Sequence, residues 1–361
     1  MRVLISGAFN PGFRALPDYL EAAFARLGHE VGRFDHRRFL LPGRLRARVP
    51  LLDRLDRREL NARFLRRVAR FGPDLVVVNQ GMVLAARTLE TVRARGVRCV
   101  NWFSDYPAEF GAGMEAAAAY DAFFLGSSHA ARLHRAAGHR HAAWLPFGCD
   151  PGEHHPGPPI RRVAGARVVF VGSYYPERHT LLRFLHGLPV GIWGPGWRRA
   201  AGDPHLAGMI RGGSLRPDQW RALYAGSAVA LNIHYGSFGP REVSGEMANT
   251  RSFEILGCGA CQVVDRPGDL LRLFREGEEL LCFTGGEELR ARVEEALADE
   301  GLRRRVGAAG REAAMARHTY GHRARHLCDP AAAGTEPEIL RADRSALPRR
   351  TPARSAAGGI L

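Results

Sequence analysis

The chain contains no lysine. All 52 of its basic residues are arginine, and with 37 acidic residues they leave a formal charge of +15 over 361 residues. Such a charge raises a nucleic-acid partner as the first reading to test. The missing lysine comes with abundant alanine and glycine, which reads as the bias of a GC-rich genome more than as selection for phosphate. The excess is uneven: residues 33–70 hold 13 arginines against Asp35, Asp53, Asp56 and Glu59. That stretch has no recognition motif, and Phe34, Phe39 and Phe64 are its only aromatics below position 70, so no nucleic-acid partner is expected. Long apolar runs are also missing: none approaches the ~18 residues of a membrane-spanning helix. After Met1 and Arg2 only Val3, Leu4 and Ile5 precede Ser6 and Gly7, a first strand rather than a leader. Six cysteines, at 99, 149, 258, 261, 282 and 328, are too few for a disulfide scaffold, and a reducing cytoplasm is the expected setting. No D-x-D pair occurs anywhere.

What remains is a globular composition, 45% hydrophobic, and a length that suggests two domains at roughly 150 residues each. Strands are predicted over 2–6, 31–34, 75–78, 99–103 and 122–125, with helical spacing at Tyr19, Leu20, Ala23, Phe24 and Leu27. Continuous β-branched runs such as 75–78 signal strands buried on both faces, hence parallel sheets flanked by helices. The run 151–159, PGEHHPGPP, is a linker. Beyond it strands are predicted over 167–171, 190–193, 229–233, 262–264 and 281–282, with helices over 286–298 and 302–317. The expected units are a first domain over 1–150, a second over 160–329 and a mobile Ala/Pro/Arg-rich tail over 330–361.

Ligands of open α/β sheets bind outside the carboxyl ends of the strands, where three loops of the second half would lie. The first carries Gly172, Ser173 and Arg178 and suits a phosphate, or is an ordinary strand-to-helix turn. The second, with Trp193, Gly194 and Trp197, offers indoles to a base or to the core. The third runs from Glu246 through Asn249, Arg251 and Glu254 to Gly259. There Glu254 can accept from two vicinal ribose hydroxyls and Arg251 can reach a pyrophosphate; alternatively, Glu254 is a solvated or first-turn glutamate that favours the helix dipole. Asp105, just past a strand end, orients an acceptor hydroxyl, acts as a base, or caps a helix. Cys258 and Cys261 form a C-x-x-C with no second ligand pair, read as fortuitous. His129, His134, His139 and His141 are scattered and read as surface residues. Leu52, Leu55, Leu60, Phe64, Val68 and Phe71 share one side of a helix among arginines. That is an ordinary core stripe or, more sharply, a basic amphipathic surface resting on anionic lipid.

The run Asn249-x-Arg251-x-Phe253-Glu254-x-x-x-Cys258-Gly259 resembles the C-terminal signature of CgeB-like (spore maturation protein) glycosyltransferases, within the group-1 class of GT-B enzymes. Supporting pieces stand in order: Phe170-Val171-Gly172-Ser173 with Arg178, Trp193-Gly194-x-Gly196-Trp197, Leu231-Asn232-Ile233, Gly277-Glu278-Glu279 and His318-Thr319-Tyr320. The resemblance covers roughly residues 70–327 and is most specific in the second half. It implies two Rossmann-like domains with parallel sheets facing a central cleft, and a nucleoside-diphosphate sugar held mainly by the second domain. The first would take a glycan, lipid-linked or protein acceptor of the cell envelope. Glu246 and Glu254 have the E-x7-E spacing of retaining members, so Glu254 would hold the donor ribose and Glu246 would approach the transferring sugar. No cofactor and no metal are expected; Arg178, Arg251 and helix N-termini would meet the pyrophosphate charge. A sugar-nucleotide-binding protein without catalysis is the alternative, and peripheral membrane contact through 33–70 is the remaining partner expectation.

Overall fold

The structure, a computed structural model, describes residues 1–80, 82–104, 110–157, 166–235 and 246–337. Among them the chain forms two parallel six-stranded sheets. The first has the order β2-β1-β3-β4-β5-β6, with β1 (Arg2–Gly7), β2 (Glu30–Asp35), β3 (Leu75–Asn79), β4 (Arg98–Phe103), β5 (Ala122–Leu125) and β6 (Ala142–Trp144). Helices α1 (Leu16–Arg26), α2 (Gly43–Arg48), α3 (Pro50–Phe71), α4 (Ala86–Arg93), α5 (Phe110–Ala116) and α6 (Ser128–Ala136) connect its strands. The second has the order β12-β11-β10-β7-β8-β9, with β7 (Val168–Val171), β8 (Val190–Trp193), β9 (Ile210–Gly212), β10 (Val229–Asn232), β11 (Gln262–Asp265) and β12 (Leu281–Phe283). Its helices are α7 (Pro176–Arg183), α8 (Pro217–Gly226), α9 (Thr250–Gly257), α10 (Gly268–Leu271), α11 (Gly286–Ala298) and α12 (Glu300–Arg317), and α13 (Tyr320–Cys328) follows them in the chain.

Strands β3, β5 and β7 bury every side chain, as their apolar runs require. Two strands escape the sequence reading, β6 and β9. Each has three residues and ends a sheet, too short for any alternation to register. The stripe read on α3 divides: Leu60, Phe64, Val68 and Phe71 are buried, whereas Leu55 is exposed. The first turns of α3 therefore do not continue the core face. No helix among the described residues is long and apolar enough to cross a membrane.

The chain crosses back to the first domain sooner than 329. Helix α13 packs on α1, with Tyr320 stacked on Tyr19 at 5.2 Å between ring centroids. Its buried Arg323 donates to the Pro146 and Phe147 carbonyls. Tyr320, Ala324 and Leu327, one helical face, supply the apolar contact. The segment after it stays on that surface: Ala332 is buried and the Gly334 N–H donates to the His141 carbonyl at 3.2 Å. The expected tail is thus packed through its first residues, and 338–361 lie outside the described residues.

Candidate functional site

A cavity of about 460 Å³ opens where the carboxyl ends of the two sheets meet. From the second domain it is lined by Val171 at the end of β7, Gly172 and Ser173 after it, Gly194 and Pro195 after β8, Ser214 to Arg216 before α8, Pro217 and Trp220 on α8, and Arg251 and Glu254 on α9. From the first domain come Gly12, Phe13 and Arg14, between β1 and α1, and Tyr19. Of the residues singled out in the sequence, the fold brings five together here: Gly172, Ser173, Gly194, Arg251 and Glu254.

The two loops after β7 and β8 are joined by backbone. The Gly172 N–H donates to the Trp193 carbonyl at 2.9 Å, and the Trp197 indole donates to the Gly172 carbonyl at 2.8 Å. Gly194 has φ +144°, and a Cβ there would lie 2.0 Å from the Gly172 oxygen. Only glycine permits this closeness.

Helix α9 is held from behind by a buried polar network. Asn249 is its N-cap, its Oδ1 accepting from the Ser252 N–H at 2.9 Å. The Asn249 N–H donates to His234 Nε2 at 3.0 Å, which fixes the other ring nitrogen, Nδ1, as the one that donates to Asp265 Oδ1 at 2.6 Å. Asn249 is therefore not on the cavity wall but sets the direction in which α9 presents Arg251 and Glu254. These two pair at 2.7 Å across one helical turn, with Glu254 only 8% exposed. Arg251 also lies over the Trp220 and Tyr224 rings, at 5.5 and 6.0 Å. Burial works against its charge, yet Glu254 and then Tyr224 hold it above the ordinary guanidinium value. Burial first and the Glu254 carboxylate second push the Tyr19 hydroxyl well above its ordinary value, keeping it a neutral donor on the opposite wall.

Arg178 and Trp193 sit behind the wall. The Arg178 guanidinium donates to the Ile233 carbonyl at 2.6 Å and to the Ser173 carbonyl at 2.9 Å, between the Phe170 and Tyr175 rings. Burial lowers it to about 10. It fastens the first loop to the end of β10, so the guanidinium expected at a phosphate is occupied by carbonyls. Trp193 packs in a core cluster with Trp220 and Tyr224 rather than offering a face to the cavity. Glu246 stands apart, at the domain boundary. Its carboxylate pairs with Arg132 of α6 at 3.1 Å, and its carbonyl accepts from the Asp269 N–H at 2.7 Å. Asp105 lies outside the described residues. Cys258 and Cys261 are both buried, their thiols pushed up to about 12 chiefly by burial. No three His, Cys, Asp or Glu groups among the described residues converge as metal ligands.

The first-domain wall was not legible in sequence. The Gly12–Arg14 loop carries only the Pro11-Gly12 turn as a signal, and Tyr19 has the spacing of a core residue. Arg14 is held by Glu153 of the linker at 3.0 Å. His234 and Asp265 were equally silent, although each falls at a strand's carboxyl end.

Two facing Rossmann-like domains with a cavity between their strand ends make up the GT-B fold. Residues 160–329, the second domain, match the family model described as Glycosyl transferase-like. HepE of Anabaena, crystallised with UDP-glucose, superposes with a TM-score of 0.62 over 91% of this chain and 98% of its own, at 15% identity. Sucrose-phosphate synthase of Thermosynechococcus elongatus gives 0.64 over 90% and 97%, at 15% identity. A glycosyltransferase of Rickettsia africae gives 0.58 over 96% and 97%, at 10% identity. At such identities the likeness is one of fold. No curated protein matches in sequence.

Proposed function

We propose that the chain is a retaining glycosyltransferase of the CgeB-like kind, moving a sugar from a nucleoside diphosphate to an envelope or surface-glycan acceptor without a catalytic metal. The observation that carries this reading is the carboxylate of Glu254, buried yet lining a cavity whose other walls include the Gly172–Ser173 and Gly194–Pro195 loops, Arg14, Tyr19 and Trp220. Glu254 accepts from the two ribose hydroxyls, with Arg251 fixing its orientation. The diphosphate lies against the Gly172–Ser173 loop and the Gly12–Arg14 loop, where the Ser173 N–H and Arg14 meet its charge. As the bond from the anomeric carbon to the leaving phosphate oxygen breaks, the acceptor oxygen bonds to that carbon on the same face. The acceptor proton passes to the departing phosphate. Glu246 approaches the sugar from the domain boundary, and Asp105 orients the acceptor hydroxyl. The UDP-glucose complex of HepE makes UDP-glucose the first donor to try.

The test is a melting series with UDP-glucose and a panel of other nucleoside-diphosphate sugars, followed by a labelled-sugar hydrolysis and transfer assay. At a hundred times its Kd a true donor adds about 2.7 kcal/mol, or roughly 5–10 °C in Tm for a domain of this size. A panel in which no nucleotide sugar shifts the transition overturns the reading. Binding without turnover, with Glu246 intact, would leave a sugar-nucleotide-binding protein instead.

A further inference from the structure

Residues 40–58 form a surface that neither the cavity nor the core accounts for. Of the ten large apolar side chains exposed among the described residues, five fall here: Leu40, Leu45, Val49, Leu51 and Leu55. Helix α2 buries none of its residues. Leu51 and Leu55, 63% and 48% exposed, share one face of α3 with Arg54 and Arg58, at spacings of three, four and seven. Six arginines stand against Asp53 and Asp56 over this stretch. The two acids pair only with Arg46 and Arg57, and Arg44, Arg48, Arg54 and Arg58 enter no ion pair among the described residues.

The display is built, not loose. Buried Asp56 accepts from the Leu40 and Leu41 N–H groups, both at 2.9 Å, tying the loop before α2 to α3. Arg46 lies 3.5 Å over the Phe39 ring and pairs with Asp53 at 2.8 Å. The acids are thus spent on the scaffold, while the leucines and the unpaired arginines face outward. β1 and β2 are parallel and paired through Gly7 and Asp35, so this surface leaves the same sheet edge as the Gly12–Arg14 loop.

We propose that the 40–58 surface docks the chain on an anionic lipid bilayer, the leucines entering the headgroup layer and the unpaired arginines meeting lipid phosphates. Charge complementarity selects this occupant: an apolar patch ringed by unneutralised cations repels a second copy of itself but suits a negative surface that also accepts leucine. The proposal is independent of sugar transfer.

Flotation of the full chain with vesicles of mixed phosphatidylglycerol and phosphatidylcholine tests it, against phosphatidylcholine alone and across a salt series. Binding is expected to the mixed vesicles only, and to fall as salt rises. At about 1 kcal/mol per basic residue near such a surface, Arg54→Gln with Arg58→Gln weakens binding about 30-fold. Leu51→Gln with Leu55→Gln weakens it about tenfold while keeping the salt dependence. All four sites are exposed, so both variants should keep the parent Tm and nucleotide binding, which separates this test from that of the proposed activity. Three outcomes overturn the proposal: no flotation with mixed vesicles at low salt, equal flotation of parent and both variants, or capture of duplex DNA without vesicle binding.

Discussion

Replacing Glu254 by Gln removes one charge from a pair whose partner cannot leave. The carboxylate is 8% exposed and sits 2.7 Å from Arg251. Breaking a fully buried pair costs about 3–5 kcal/mol, because the remaining charge is stranded. Arg251 is not wholly stranded: its side chain keeps 27% of its exposure and lies over Trp220 and Tyr224. Each such ring contact is worth about 0.5–1 kcal/mol, so the expected loss falls below that range, at about 2–3 kcal/mol. At about 2–4 °C per kcal/mol that lowers the Tm by roughly 4–12 °C. Adding Arg251→Met replaces the stranded charge by an apolar side chain of similar length, which is often neutral or favourable. The double variant should therefore recover most of the lost Tm. Donor affinity behaves differently. On the proposed reading, losing charge-assisted hydrogen bonds to a donor ribose costs about 1.5–3 kcal/mol, a fall of roughly 10- to 150-fold that Arg251→Met does not restore. Differential scanning calorimetry and isothermal titration with a donor read the two effects separately. An unchanged Tm in the single variant, or a double variant whose losses simply add, would refute the account of the pair. An unchanged donor Kd would refute the role of Glu254.

Other consequences are as direct. Gly194→Ala sets a Cβ 2.0 Å from the Gly172 oxygen at φ +144°, so it should cost at least about 2–3 kcal/mol and weaken donor binding. Gly213→Ala, where a Cβ meets nothing within 4 Å, should leave both unchanged, and equal behaviour of the two variants would sink the argument. Asp269, buried beneath the Ser128 N–H it accepts from at 2.9 Å, is raised to about 6 by burial. Because the folded chain then holds its proton to higher pH than the unfolded chain, this group stabilises below pH 4. That contribution is lost as pH rises through 6, by at most about 3 kcal/mol. Asp269→Asn should thus gain on the parent between pH 4 and 7 in melting experiments; parallel curves would contradict it. Cys258 and Cys261, buried with thiols near 12, should resist a thiol reagent at neutral pH until the chain unfolds. Rapid labelling of both in the native state would reopen a redox or metal role.

Most strands and the longer helices, α1, α3, α11 and α12, were readable from local pattern. An unbroken β-branched run such as 75–78 has one comfortable place, the middle of a covered sheet, and the 249–259 run carries its own cap, pair and stop. The boundaries failed where the pattern was shortest, at β6 and β9, and where a helix changed neighbours, at α13. Arg178 illustrates another failure. Its position beside a glycine loop suits a phosphate, yet the carbonyls of Ile233 and Ser173 reach it first.

The sequence by itself determined that there are two α/β halves, that the second carries a capped helix with Arg251 and Glu254, and that the arginine excess is concentrated in 33–70. Tertiary structure alone decided that Gly12, Arg14 and Tyr19 close the cavity between the domains, that Glu246 pairs with Arg132 across the domain boundary, and that the basic stretch turns Leu51 and Leu55 outward while burying Leu60 and Phe64. The reason is range. Periodicity and caps act over three or four residues and are written locally, whereas which arginine meets a carbonyl, a carboxylate or open solvent depends on chain segments that only the packing of two sheets brings together.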